Sequence, residues 1–356
     1  MQFSGTGYPF HADLLRLVQA SPSSRAFFND CLNAIQAAVD RMEYCAVARP
    51  DIYRSLLDSD NTAMEFDGRI GIAGTAIMHA LLCLETYEIS PSLLENIDSG
   101  TGHSQGIVFA CILAHRITDA AAFRENLIQA VVFLAVLAIR GQELFQEEIE
   151  QDQLLVSEMQ ALRFRGVPTA MFALTGEHTE ISDLLNRFNH EMGSKLEIIL
   201  HNGTRNKIIG GSRKQLCTFL KEAKQRETTV RLRYFVRCSC PFHHSGLTPL
   251  LRKFEKDLEW LDAPWTADRL QWPVYSFVDG SNLQKCDNLV RHMYRAVTME
   301  VLHWDRALSW LSQDGIQRIV DFGPGKGALS FSEEWCQERG LQIEFESQYD
   351  RLFSQI

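Results

Sequence analysis

The pentapeptide Gly102-His103-Ser104-Gln105-Gly106 constrains this chain more than any other stretch. A serine with a glycine two residues away on each side fits the elbow pattern, in which a strand turns sharply into a helix with the serine at the apex. The flanking glycines let the backbone make that turn without side-chain clashes. Residues 107–115 are apolar and helix-forming, which is the context the pattern demands. A helix starting there aims its first N–H groups and the positive end of its dipole at the serine oxygen. In another setting the same pentapeptide is a Gly-rich turn carrying a solvated serine, so the motif alone leaves both readings open.

A serine hydroxyl is a weak nucleophile at neutral pH and needs a base within hydrogen-bond reach. The segment Cys240-Pro241-Phe242-His243-His244-Ser245 offers one in His243, just after an alternating strand read over residues 228–236. A loop histidine serves structure as readily as catalysis.

Periodicity places these residues. Residues 26–41 and 69–87 carry apolar side chains at three and four spacing, the helical pattern, and two further apolar helical runs extend to about residue 161. The most apolar run, 127–139, is interrupted by Gln129 and closed by Arg140. It is too short to span a bilayer and reads as a buried helix, so no membrane span is expected. From Gly166 the text changes: strand 167–174, helix 179–192, short strands 196–201 and 207–209 around Asn202-Gly203, helix 212–225, strand 228–236. That βαββαβ order is a ferredoxin-like module. Afterwards 249–261 reads as helix, 272–277 as strand, 289–311 as helix and 316–322 as strand. The expected architecture is an α/β core over 1–163 and 235–356, interrupted by a small ferredoxin-like subdomain over 164–234.

Composition narrows the function classes. A net charge of −10 argues against a phosphate-backbone partner, so no nucleic acid is expected. Met1-Gln2-Phe3-Ser4-Gly5 does not open a secretory signal, and nine cysteines without a CxxC pair suit reduced thiols inside a cell. The expected location is cytoplasmic. Cys238 and Cys240 would share one face of a strand and read as packing; no metal site is expected.

In their order along the chain, these motifs resemble the acyl-CoA:acyl-carrier-protein transacylases. The nearest likeness is to the acetyltransferase domain of fungal-type fatty acid synthases, with the starter-unit transacylase domains of fungal polyketide synthases somewhat more distant. The likeness runs from Phe3-Ser4-Gly5-Thr6-Gly7 through the elbow, Asn202-Gly203-Thr204, Ile208-Ile209-Gly210-Gly211 and Pro241-Phe242-His243. It continues in Pro273-Val274-Tyr275, Asp279-Gly280-Ser281, Val301-Leu302-His303-Trp304 and Asp321-Phe322-Gly323-Pro324-Gly325. Thr6 stands where the family usually has Gln, and His244 where it often has Ser. The loop ending in Lys326 lacks the spacing of a P-loop.

The resemblance implies an α/β-hydrolase-like core of the malonyl/acetyl transacylase type with an inserted ferredoxin-like subdomain. It also implies transfer of a neutral starter acyl group, acetyl or longer, from acyl-CoA through an acyl-Ser104 intermediate to the phosphopantetheine thiol of an acyl carrier protein. By position, Ser104 would be the nucleophile and His243 the base, with the backbone N–H groups of Gln105 and Thr6 as oxyanion hole. The backbone carbonyl of His303 would orient His243. Leu137 would occupy the place where malonyl-specific members carry the arginine that reads a carboxylate, and Arg140 reads as a helix-end packing residue with an acidic neighbour. No cofactor would be bound permanently. An editing thioesterase or an inactive docking domain of the same fold is the alternative.

Overall fold

The computed structural model describes residues 1–42, 45–57, 66–150, 152–226, 228–312 and 315–355. In chain order its strands are β1 (Gln2–Phe3), β2 (Gly100–Gly102), β3 (Met171–Thr175), β4 (Glu197–His201) and β5 (Asn206–Gly210), then β6 (Arg231–Phe235), β7 (Val274–Tyr275), β8 (Leu302–His303), β9 (Arg318–Asp321) and β10 (Glu344–Ser347). They form two sheets. The first is parallel throughout, in the order β10-β9-β1-β2-β7. Parallel sheets need cover on both faces, and the central strands β1 and β2 are buried along their whole length, with Gln2 bonded to Asp321 at 2.8 Å and Thr101 donating to the Tyr275 carbonyl at 2.8 Å. Phe3, fully buried in β1, stacks on Phe322 at 4.8 Å and leans on Phe109 of the helix after the elbow.

The helix Gly68–Ile89 is apolar around its whole circumference and buried from Gly68 to Thr86, as a helix without a polar face has to be. It and Ala120–Leu144 are long and apolar enough to cross a membrane, yet 94% and 67% of their most apolar windows are buried inside the fold. Both start cleanly because Asp67 and Asp119 accept hydrogen bonds from the first-turn N–H groups of Arg69 and Ala122.

The second sheet, in the order β6-β3-β5-β4-β8, contains the βαββαβ unit that the periodicity predicts, its first three pairings antiparallel. One face carries Phe172, Leu174, Ile209 and Phe235, packed on Leu185, Phe188, Leu216 and Phe219 from the helices His178–Met192 and Arg213–Gln225. The alternate residues Met171, Ala173, Leu200 and Ile208 belong instead to the main core. Successive strand residues point to opposite faces, so this sheet is buried on both. The C-terminal half supplies the fifth strand: β8 pairs with β4 in parallel, His303 opposite His201.

The structure departs from the periodicity at one place that matters for function. The helix expected over 289–311 ends at Thr298 and is followed by β8 and a short helix, Trp304–Leu308. At the break the Arg295 carbonyl takes the N–H groups of both Met299 and Glu300, and the Thr298 hydroxyl donates back to the Tyr294 carbonyl. Such back-bonding bends helices and weakens them. The strand expected over 167–174 starts only at Met171, because Pro168 cannot donate to a ladder and Thr169 spends its hydroxyl on the Val236 carbonyl. The helix Gly327–Glu338 and β10 are not anticipated by the sequence pattern.

Candidate active site

β2 runs into a tight turn and then into the helix Gly106–Ala114, the strand–turn–helix that the pentapeptide demands. Ser104 sits at the apex with φ +53°, a conformation that few residues other than glycine adopt. The glycines are required by close approach: a Cβ on Gly102 would overlap the backbone of Gly106 and Ile107, and one on Gly106 would lie 2.7 Å from Phe3 of the neighbouring strand. The His103 N–H donates to the Phe3 carbonyl at 2.9 Å, fastening the elbow to β1.

His243 reaches the serine from the other side. Its backbone also has positive φ, +68°, and its N–H donates to the Thr298 carbonyl at 2.6 Å, at the end of the broken helix. One ring nitrogen, Nε2, lies 2.8 Å from Ser104 Oγ; the other, Nδ1, lies 2.9 Å from the Glu300 carbonyl. A carbonyl only accepts, so Nδ1 carries the proton and Nε2 is free to accept one from the serine hydroxyl. Burial pushes the imidazole pKa down to about 4, against the opposing pull of the Glu300 carbonyl on Nδ1–H. The ring is therefore neutral, and a base, at physiological pH.

Two expectations are corrected here. The carbonyl that orients His243 belongs to Glu300, not His303. The helix break presents Glu300 in the turn, whereas His303 has already entered β8, where its N–H donates to the Phe277 carbonyl and its ring stacks on His201 at 4.5 Å. Leu137 does not border the cavity in front of Ser104. It is fully buried in the Ala120–Leu144 helix, whose phase turns it into the core. Arg140, one turn on, is held by Asp257 through two contacts of 2.7 Å and lies 3.3 Å from Glu143, the acidic packing arrangement read for it.

His244 stands apart from the serine. Its Nε2 lies 2.9 Å from the Lys195 carbonyl, and its Nδ1 accepts the Gly246 N–H at 2.9 Å, so both ring nitrogens are occupied elsewhere. The backbone N–H groups of Gln105 and Thr6 have no acceptor among the described residues. The Gln105 side chain donates to Thr6 Oγ1 at 2.9 Å and ties the loop after β1 to the elbow.

The sequence gives no sign of one pair beside the serine. His103 Nε2 lies 2.8 Å from Asn202 Oδ1, joining the elbow to the β4–β5 turn of the second sheet. Both residues line the cavity, and burial pushes the His103 pKa down to about 4. Asn202-Gly203 reads as a turn, and nothing local says that the asparagine faces a histidine 99 residues away.

The cavity holds about 250 Å³. Its apolar wall is Ile72, Met171, Leu200, Ile208, Val236 and Phe242, and no Asp, Glu, Lys or Arg lines it among the described residues. No group of three His, Cys, Asp or Glu side chains among them could hold a metal ion.

No protein-family model matches the chain. Its sequence is 24% identical over 97% of its length to the fatty acid synthase subunit beta of Schizosaccharomyces pombe. It is 30% identical over 63% of its length to that of Gibberella zeae. The chain is a homologue of part of this subunit. It spans 17% of the length of the first of these relatives and 11% of the second. Solved structures give the fold. An acyl carrier protein S-malonyltransferase from Vibrio cholerae superposes with a TM-score of 0.64 at 16% identity, covering 97% of this chain and 95% of that one. The enzyme from Burkholderia pseudomallei gives 0.67 at 15% identity, covering 98% and 95%. A malonyl-transacylase in complex with a type II polyketide synthase acyl-carrier protein gives 0.67 at 15%, covering 98% and 94%. The transacylase resemblance of the sequence and the α/β fold thus agree.

Proposed function

We propose that this chain is an acyltransferase that moves a neutral acyl group from acyl-CoA, through an ester on Ser104, to the phosphopantetheine thiol of an acyl carrier protein. The observation that carries the reading is the hydrogen-bonded line from Ser104 Oγ to His243 Nε2 and from His243 Nδ1 to the Glu300 carbonyl, at 2.8 and 2.9 Å. Ser104 Oγ attacks the thioester carbon as its proton passes to His243 Nε2. The thiolate then leaves, taking that proton from the imidazolium. The carrier thiol repeats the sequence in reverse: His243 takes its proton, its sulfur attacks the Ser104 ester, and the serine oxygen recovers the proton. The Glu300 carbonyl keeps Nδ1–H in place during both proton transfers. The N–H groups of Gln105 and Thr6, lacking acceptors of their own, supply the oxyanion site.

The acyl group is read as neutral because no Lys or Arg among the described residues lines the cavity. A malonyl carboxylate would sit there without a partner, at a cost of at least ~1–3 kcal/mol for the desolvated group. The relatives named as subunits of fatty acid synthase support a place in fatty acid or polyketide synthesis, the acyl-CoA entering as substrate and the carrier thiol as acceptor. The direct test follows a radiolabelled acyl group from acetyl-CoA to a holo acyl carrier protein. Enzyme-dependent label on the carrier, lost in Ser104→Ala, is expected. Label released only as free acid would replace transferase with thioesterase.

A further inference from the structure

β6 is the last strand at one end of the second sheet, flanked on its outer side, among the described residues, only by a bridge from Arg165, and it is unusual in what it carries. Arg231 and Arg233 lie on it, and Arg163 and Arg165 lie on the segment beside it, where Arg165 bridges to Tyr234. All four arginines are exposed, and none makes an ion pair with a described residue. The chain has no acidic residue between 159 and 176 or between 228 and 254, although its net charge is −10. Charged edge strands do guard against unwanted strand pairing. This edge has a second property that such guarding does not need: Tyr234 and Val236 of the same stretch line the cavity in front of Ser104. Tyr234, 49% exposed, is thus an aromatic at the mouth of the site on a strand that also carries exposed arginines, the composition that anchors interfaces.

Resting on the acyltransferase reading, we propose that the β6 edge, with Arg163, Arg165, Arg231, Arg233 and Tyr234, is the docking surface for an acidic carrier protein. The four residue steps from Arg231 to Phe235 cover roughly 13 Å of strand, wider than a single phosphate needs and suited to an acidic protein face. Elsewhere the net negative chain repels such a partner, so the patch fixes where it lands as well as how fast. The carrier's phosphopantetheine arm then enters beside Tyr234 with its thiol free and meets the acyl-Ser104 ester at the cavity floor.

The probe is a recombinant apo acyl carrier protein domain from a fungal fatty acid synthase, titrated onto the full chain at two salt concentrations. Arg231→Glu/Arg233→Glu, and separately Arg163→Glu/Arg165→Glu, should each raise Kd at least tenfold and flatten its salt dependence. The corresponding lysine pairs should stay near wild type. Loading of Ser104 from acetyl-CoA should change less than twofold in all four. Unchanged carrier affinity in both glutamate pairs overturns the proposal. So does an equal loss of loading from acetyl-CoA, which would show that the arginines hold the phosphates of CoA. The titration needs no chemistry, so a Ser104 that accepts no acyl group would overturn the transferase reading while leaving the binding result readable.

Discussion

Ser104 and His243 both hold positive φ without being glycine, and each is locked there by its surroundings rather than by its own preference. Strain of this kind persists when neighbouring structure over-determines the backbone, and here it aims two side chains at one another. His243→Ala should lower the rate of Ser104 acylation by about two to four orders of magnitude, the range for a positioned acid–base group. His244→Ala, whose ring is engaged with Lys195 and Gly246, should lower it far less, as stopped-flow acylation will show. The pH profile follows from the sign of the shift. The active form is neutral His243, and its pKa lies at about 4, so acylation should stay level as pH falls from 8 to about 5 and decline below that. A decline centred near 6.5, the ordinary histidine value, would mean that the ring is not shielded as the structure has it. The elbow serine was legible because its signature is local. The Glu300 carbonyl was not: a main-chain acceptor has no side-chain mark, and its place depends on where a helix stops.

At the scale of elements, the site is made where three breaks in regular structure meet: the β2 turn, the loop after β6, and the helix end at Thr298. The first tolerates no Cβ at Gly102, so Gly102→Ala should push the elbow away from β1 and abolish acylation, with a lowered melting temperature as the check. The His103–Asn202 bridge ties the elbow to the second sheet. Asn202→Leu leaves a buried imidazole without its acceptor and should cost about 1–3 kcal/mol in denaturant unfolding. The βαββαβ unit was readable because its alternation and turn signals are short-range. The helix break at Thr298 was not, because the apolar spacing continues through 289–311 and only tertiary partners end the helix, among them the His243 N–H on the Thr298 carbonyl. Leu137 fails for a related reason: a helix advances about 100° per residue, so position along it fixes the face only when the phase is known. Leu137→Arg should therefore bury an unpaired guanidinium at a cost of about 3–5 kcal/mol, and not recruit malonyl-CoA.

For the molecule as a whole, buried titratable groups set the pH range in which the site stands. Burial lowers the pKa of His79 to about 3 and those of His103 and His243 to about 4, and raises that of Asp321 to about 7. Below pH 6.5 the unfolded chain takes up protons that the folded histidines refuse, so their contribution to stability is lost as pH falls toward 4. Asp321 works in the opposite sense, gaining stability as pH falls through 7, and offsets part of that loss. Thermal unfolding midpoints should accordingly drop from pH 6.5 to pH 4. The central claim is more specific than fold or stability, namely that Ser104 itself carries a neutral acyl group. It is tested by mass spectrometry of the protein and its peptides after brief exposure to equal concentrations of acetyl-CoA and malonyl-CoA. An acetyl adduct on the peptide holding Ser104, discharged by holo carrier protein and absent from Ser104→Ala, is the predicted result. A malonyl adduct at equal or greater yield, or an acetyl group that persists in Ser104→Ala, would contradict the account.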